Sequence, residues 1–211
     1  MKTFLIYCFV IFIVSQTFPI FAAYFAPKPG NHKSTHGSAL YFKTYGGLSF
    51  PKLFVKEKLF DIKENSLDFK GLNYAFSVGV ENFNLLRGEL FIEGSNNYDK
   101  LNNSTLNFST INLGTRLSFF TQGYNFNIIY SLITGFSSGK ILSGNIEKNF
   151  QGYFIGPGLE IEFVITRQLS FNVMYDLLFN SYPSITEKSF DFQNMNHNIM
   201  IGITFWTSRF S

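Results

Sequence analysis

Nine ionisable residues, Lys43, Glu81, Arg87, Glu89, Glu93, Arg116, Glu160, Glu162 and Asp176, interrupt segments that otherwise hold apolar or small side chains. A charge among such neighbours has to be paired and hydrogen-bonded, because taking an isolated ion out of water costs several kcal/mol. Three cations against six carboxylates can build a network of ion pairs with acid left over. That surplus defines the alternative chemistry, a row of carboxylates favouring the passage of cations. Histidine supplies the other candidate. His197 has Ser181, Ser189 and Asp191 nearby in sequence, the residue types of a hydrolytic triad. Their spacing matches no motif, and His32 and His36 stand far upstream in a polar lead-in. A lone histidine of this kind is most often a surface residue, so the protein is expected not to be an enzyme. The sequence offers no metal-ligand spacing, phosphate loop or dinucleotide fingerprint, so catalytic, cofactor-binding and metal-ligating residues are all expected to be absent.

The elements that position these residues have to suit an unusual composition. Charged residues make up 15% of the 211, against about 25% in ordinary soluble chains. Aromatics reach 19%, with 28 Phe. The 17 Lys+Arg and 14 Asp+Glu leave a net charge of +3, with none of the basic clustering that nucleic-acid binding requires. So many aromatics exclude a disordered chain, and mean hydropathy is too near zero for a bundle of membrane helices.

The first segment reads as an export signal. Met1-Lys2-Thr3 is a short positive start, Phe4 to Val14 is unbroken apolar sequence, and Pro19 and Ala22-Ala23 follow. Cleavage is expected near Ala22, giving a signal peptide over 1–22 and a lead-in over 23–38, with the remaining domain over 39–211. Removing the signal also removes Cys8, the single cysteine, and with it any disulfide or thiol chemistry.

From there the pattern alternates with period two, the signature of strands whose two faces differ chemically. Eight strands are predicted. In the second, Leu72, Tyr74, Phe76, Val78 and Val80 oppose Asn73, Ala75, Ser77, Gly79 and Glu81. In the fourth, Ile111, Leu113, Leu117 and Phe119 oppose Asn112, Gly114, Arg116 and Ser118. The fifth, sixth, seventh and eighth repeat this around Tyr130, Leu159, Phe171 and Ile201. The first and third are rougher, and Phe91 falls on the polar face of the third as an exception. Pro157 lies within the sixth strand, where a missing N–H predicts a bulge or a weak register.

A soluble sandwich or ligand-binding barrel would turn the large side chains inward and the charges to water. A membrane-spanning barrel is the reverse. The reverse is expected, because the polar face is rich in residues as small as Gly79, Gly114, Gly156, Gly158 and Gly202, which water has no need of and a narrow interior does. Aromatics such as Tyr74, Phe119, Tyr124, Tyr153, Phe179 and Phe205 lie towards strand ends, as in an interfacial girdle. Short turns at 83–85, 121–123 and 166–168 alternate with long polar connections near 51–71, 95–108, 138–151 and 181–195, which are expected to be loops. The fold class is therefore all-β: an eight-stranded antiparallel up-and-down transmembrane β-barrel behind a cleaved signal peptide.

With this pattern in view, the chain resembles the small eight-stranded outer-membrane barrels: the OmpA-type barrel domain, the opacity-type proteins and the rickettsial surface antigens. The resemblance runs from about Leu40 to Phe210. It is carried by LYFKTYGGLSFPKLF, by YAFSVGVENFNLLRGELFIEG and by GYFIGPGLEIEFVITRQLSFNVMYDLLF. It implies the outer membrane of a Gram-negative bacterium and an assembly signal in the last strand. Gly202 and Phe205 keep that signal's spacing, Thr207 stands where a second aromatic is usual, and Phe210 is penultimate. The partners implied are outer-membrane lipid and the outer-membrane assembly machinery, with no nucleic acid and a monomeric state.

If the apolar faces meet lipid, the nine ionisable residues converge in the lumen. The first reading is a salt-bridged plug in a structural or adhesin-like surface antigen that meets a host or envelope partner through four long loops. The second is a small cation-preferring porin, and the third a secreted soluble ligand-binding barrel. The loops mix charges, as in Lys52, Lys56, Glu57, Lys58, Asp61, Lys63, Glu64, Asp68 and Lys70, or are rich in Asn, as in Asn96, Asn97, Asn102, Asn103 and Asn107. Both compositions suit a solvated or a binding surface.

Overall fold

The structure is a computed structural model that describes residues 39–55, 66–82, 86–101, 104–122, 126–144, 146–166, 168–182 and 192–207. The expected signal segment, the lead-in, His32, His36, Tyr124, Ser189, Asp191 and Phe210 lie outside the described residues.

The strands are β1 (Ala39–Val55), β2 (Ser66–Asp68), β3 (Lys70–Asn82), β4 (Leu86–Leu101), β5 (Ser104–Gln122), β6 (Phe126–Ser143), β7 (Ile146–Val164), β8 (Leu169–Tyr182) and β9 (Phe192–Trp206). All neighbours are antiparallel, and β1 pairs with β9, so the sheet closes on itself. The three-residue β2 is the outer end of β3. Both pair with β1 in one register, Lys52 opposite Asp68 and Ser49 opposite Gly71. They part at Phe69 because Pro51, facing it, has no N–H to give; the Pro51 carbonyl still accepts the Phe69 N–H at 2.8 Å. The barrel therefore has eight staves.

The polarity is inverted relative to a soluble domain. Phe76 is 51% exposed and Ile201 58%, while Glu81 and Arg116 are 5% and 2% exposed. Leu48, Leu72, Leu90, Leu113, Leu132, Leu159 and Phe179 continue this outward apolar coat around the wall. A continuous greasy surface of this size is stable only in lipid. A soluble ligand-binding barrel needs the opposite arrangement, so that reading does not fit. Of the girdle aromatics, Tyr74, Phe119, Phe179 and Phe205 face outward, and Tyr153 is half-buried.

The connections near 95–108 and 138–151 are strand over most of their length, which corrects the expectation of loops there. β4 pairs with β5 out to Leu101–Ser104, and β6 with β7 out to Ser143–Ile146. The second of these hairpins turns at Gly144, whose φ of 55° is the left-handed conformation that glycine takes without strain. The 19-residue strands β5 and β7 rise roughly 50 Å along the barrel axis at the usual tilt, about twice the height of an apolar band of ~25 Å.

The excess height shows in the side chains. Above Ile111, Phe136 and Tyr153 the outward positions become polar: Ser109 and Asn107, Ser138 and Lys140, Gln151 and Asn149. The inward positions become apolar: Leu106, Phe108, Ile141 and Phe150, with Leu53, Leu67, Phe69 and Tyr182. Period two is kept but its phase reverses, as it must where a barrel passes from lipid into water.

Pro157 faces outward opposite Leu132 of β6. On the β8 side the ladder skips from Ile155–Phe179 to Gly158–Asp176 and resumes in the same register. The structure thus has a two-residue gap in pairing at Gly156 and Pro157, without the inserted residue of a bulge.

Candidate functional site

Eight staves leave a bore that side chains just fill. At the end beside the short turns, Tyr41 packs on Trp206 with ring centroids 4.8 Å apart, and Ala39 joins them. The Arg87 guanidinium lies 4.7 Å from the Phe120 ring centre and 5.0 Å from that of Trp206. Its Nε reaches Glu81 Oε2 at 2.8 Å and its Nη2 reaches Glu162 Oε2 at 2.7 Å. Asn127 Nδ2 donates to the same Glu162 oxygen at 2.8 Å.

The next layer up ties opposite walls together. Lys43 Nζ on β1 lies 2.9 Å from Glu160 Oε2 on β7 and 3.3 Å from Glu89 Oε2 on β4. Arg116 on β5 reaches Glu89 Oε1 at 3.3 Å and Asp176 Oδ2 on β8 at 2.6 Å. The Tyr45 hydroxyl donates to Glu89 Oε1 at 2.6 Å and the Tyr41 hydroxyl to Glu89 Oε2 at 3.2 Å. Asn172 Nδ2 donates to Glu160 at 2.6 Å. Charge-assisted bonds of this length hold ionised groups in a buried bore as long as every member keeps its partner.

All nine ionisable residues marked from sequence are buried in the bore, in three groups. Arg87, Glu81 and Glu162 form one, and Lys43, Glu89, Glu160, Arg116 and Asp176 the second. Glu93 stands by itself, accepting Asn112 Nδ2 at 2.8 Å and Asn198 Nδ2 at 3.4 Å. Of the residues expected to carry an assembly signal, Gly202 faces the bore against Tyr45 and Phe205 faces outward, since three residues along a strand is an odd step.

The aromatic filling was not read from the sequence. Phe91 is inside the bore, its ring 6.0 Å from that of Phe154, in a cluster with Ile133 and Leu178. It fits there because Gly114 and Gly135 line the wall beside it. A Cβ at Gly114 would come within 2.8 Å of both rings. The signal was available: Phe91 sits between Glu89 and Glu93 on one strand face, and Trp206 shares the face of Gly202.

His197 points outward. Its Nδ1 is 2.7 Å from the Tyr175 hydroxyl, and Ser181 is paired with Gln193, two outward positions further along β9.

A closed antiparallel barrel of eight staves with an apolar outer coat is the fold of small outer-membrane proteins. No protein-family model matches the chain, and no curated protein sequence does. Among solved structures, Neisserial surface protein A superposes with a TM-score of 0.57 at 12% identity, covering 80% of this chain and 98% of that one. The attachment invasion locus protein of Yersinia pestis gives 0.47 at 11%, covering 79% and 99%. The outer membrane protease OmpT from Escherichia coli gives 0.43 at 8%, covering 83% and 99%. At such identities the likeness is one of fold.

Proposed function

We propose that the protein is a surface protein of a Gram-negative outer membrane. Its bore is a structural plug, and its work is done by the hairpins and loops raised above the lipid, as contacts with a host surface or with the envelope. The observation that supports this best is the filling of the lumen: buried ionic layers below and a buried apolar cluster of Leu53, Phe69, Leu106, Phe108 and Phe150 above. Rigid frames that lift variable segments into solvent are where binding surfaces are built. Outer-membrane lipid and the assembly machinery are its proposed partners during biogenesis, and the barrel works as a monomer.

No catalytic role is proposed, since His197 is held by Tyr175 on the outer wall. The porin reading retains one point in its favour, the surplus of acids over cations in the lumen. Planar-bilayer recording separates the two. A plugged surface protein gives no steady current, whereas a porin gives stable cation-selective steps. Surface exposure is tested by biotinylation of intact cells, which has to label Lys52, Lys70 or Lys140.

A further inference from the structure

Glu93 is the one lumen carboxylate with no ion-pair partner among the described residues. It is 1% exposed, on β4. Around it stand three buried asparagines from three other staves: Asn112 on β5, Asn198 on β9 and Asn73 on β3, the last two positions from Glu93's register partner Ala75. The carbonyl oxygens of Asn112 and Asn198 have no hydrogen-bond partner among the described residues. Asn73, 2% exposed, reaches towards Glu93, but neither of its amide atoms makes a hydrogen bond of ordinary length and angle. A buried negative charge and four orphaned amide atoms in one layer is a costly arrangement for a folded protein to keep.

We propose that Glu93, with the amide oxygens of Asn73, Asn112 and Asn198, binds a single hard metal cation inside the closed lumen. One carboxylate and neutral carbonyl oxygens are the donors that hard cations take in place of their hydration shell. Asn112 and Asn198 now donate to Glu93. Rotating each amide by half a turn brings its oxygen where its nitrogen was, so both become ligands without moving the backbone. The layer carries one formal negative charge with no cation among the described residues in ion-pair contact; Arg116, one layer below, acts on it only at longer range. Ionic layers below, and above it a buried polar layer of Ser49, Ser95, Thr110 and Asn196 capped by apolar side chains, enclose it, so the ion is taken up as the barrel closes and its binding appears as stability.

The test uses the full barrel refolded in detergent micelles. Its thermal midpoint is followed by heat-modifiable gel shift in sodium, potassium, calcium or choline chloride at equal ionic strength. At least one metal salt is expected to raise the midpoint over choline, by about 3–5 °C per tenfold concentration above its Kd. Glu93→Gln is expected to abolish that dependence, while Glu147→Gln, on the exposed hairpin, keeps it. Crystals grown with rubidium chloride where a monovalent salt raises the midpoint, or with strontium chloride where calcium does, are expected to show an anomalous peak beside Glu93. Identical midpoints in all four salts, or an undiminished cation dependence in E93Q, overturns the proposal. So does a midpoint that follows pH and ignores the cation, which assigns a proton to the site. If E93Q fails to fold, the wild-type salt series and the anomalous map decide.

Discussion

Arg116 on β5 and Asp176 on β8 meet across the bore with Nη2 2.6 Å from Oδ2, and the same guanidinium bonds Glu89 on β4 through its Nη1. One side chain thus clamps three staves that are not all neighbours in the sheet. A bond of this kind stabilises the closed cylinder rather than any one hairpin.

Removing that clamp is expected to be far worse than removing an exposed pair. Arg116→Met leaves Glu89 and Asp176 short of a partner and should cost about 3–5 kcal/mol. Lys140 and Glu147 lie 3.7 Å apart, both about half exposed, and Lys140→Ala should change stability by less than about 1 kcal/mol. Urea unfolding of the two variants in the same micelles makes the comparison.

The Phe91–Phe154 pair depends on the absence of a side chain at Gly114. Gly114→Ala should destabilise by roughly 1–3 kcal/mol through overpacking. Phe91→Ala should cost roughly 3–5 kcal/mol by opening a cavity. If the clash with the rings is the cause, Phe91→Leu combined with Gly114→Ala should cost less than the sum of its parts, read as a double-mutant cycle.

Above the lipid, the inward apolar cluster rather than the membrane holds the hairpins. Hydrogen exchange should therefore find the amides of residues 106–110 and 139–143 protected, on ladders such as Leu106–Ser143. Phe108→Ser should release those amides and leave Leu113 to Phe119 of the same strand slow. Fast exchange of both regions in the wild type would mean that the raised hairpins do not hold together.

How much of this could be read beforehand follows from the alternation. Within the lipid belt every stave repeats one rule, and Leu72 to Glu81 states it without exception. The eight staves, their inverted faces and the inward charges were legible for that reason. The raised hairpins were not, because Asn96, Ser109, Ser138 and Gln151 look like loop composition until the phase reversal at Phe108, Ile141 and Phe150 is recognised. Nor was the grouping of the charges. Which of six carboxylates a given cation meets depends on barrel tilt and stagger, and no spacing along one strand encodes that.

Nitroxide scanning of β3 in bilayers tests the inverted polarity most directly. Single cysteines at each position from Leu72 to Val80, in a Cys8→Ser background, are spin-labelled and their accessibility to oxygen and to a water-soluble nickel complex is compared. High oxygen and low nickel accessibility at Leu72, Tyr74, Phe76 and Val78, alternating with protection from both at Asn73, Ala75, Ser77 and Gly79, is the predicted result. Nickel accessibility at Asn73, Ser77 and Gly79 with the even positions shielded would contradict it.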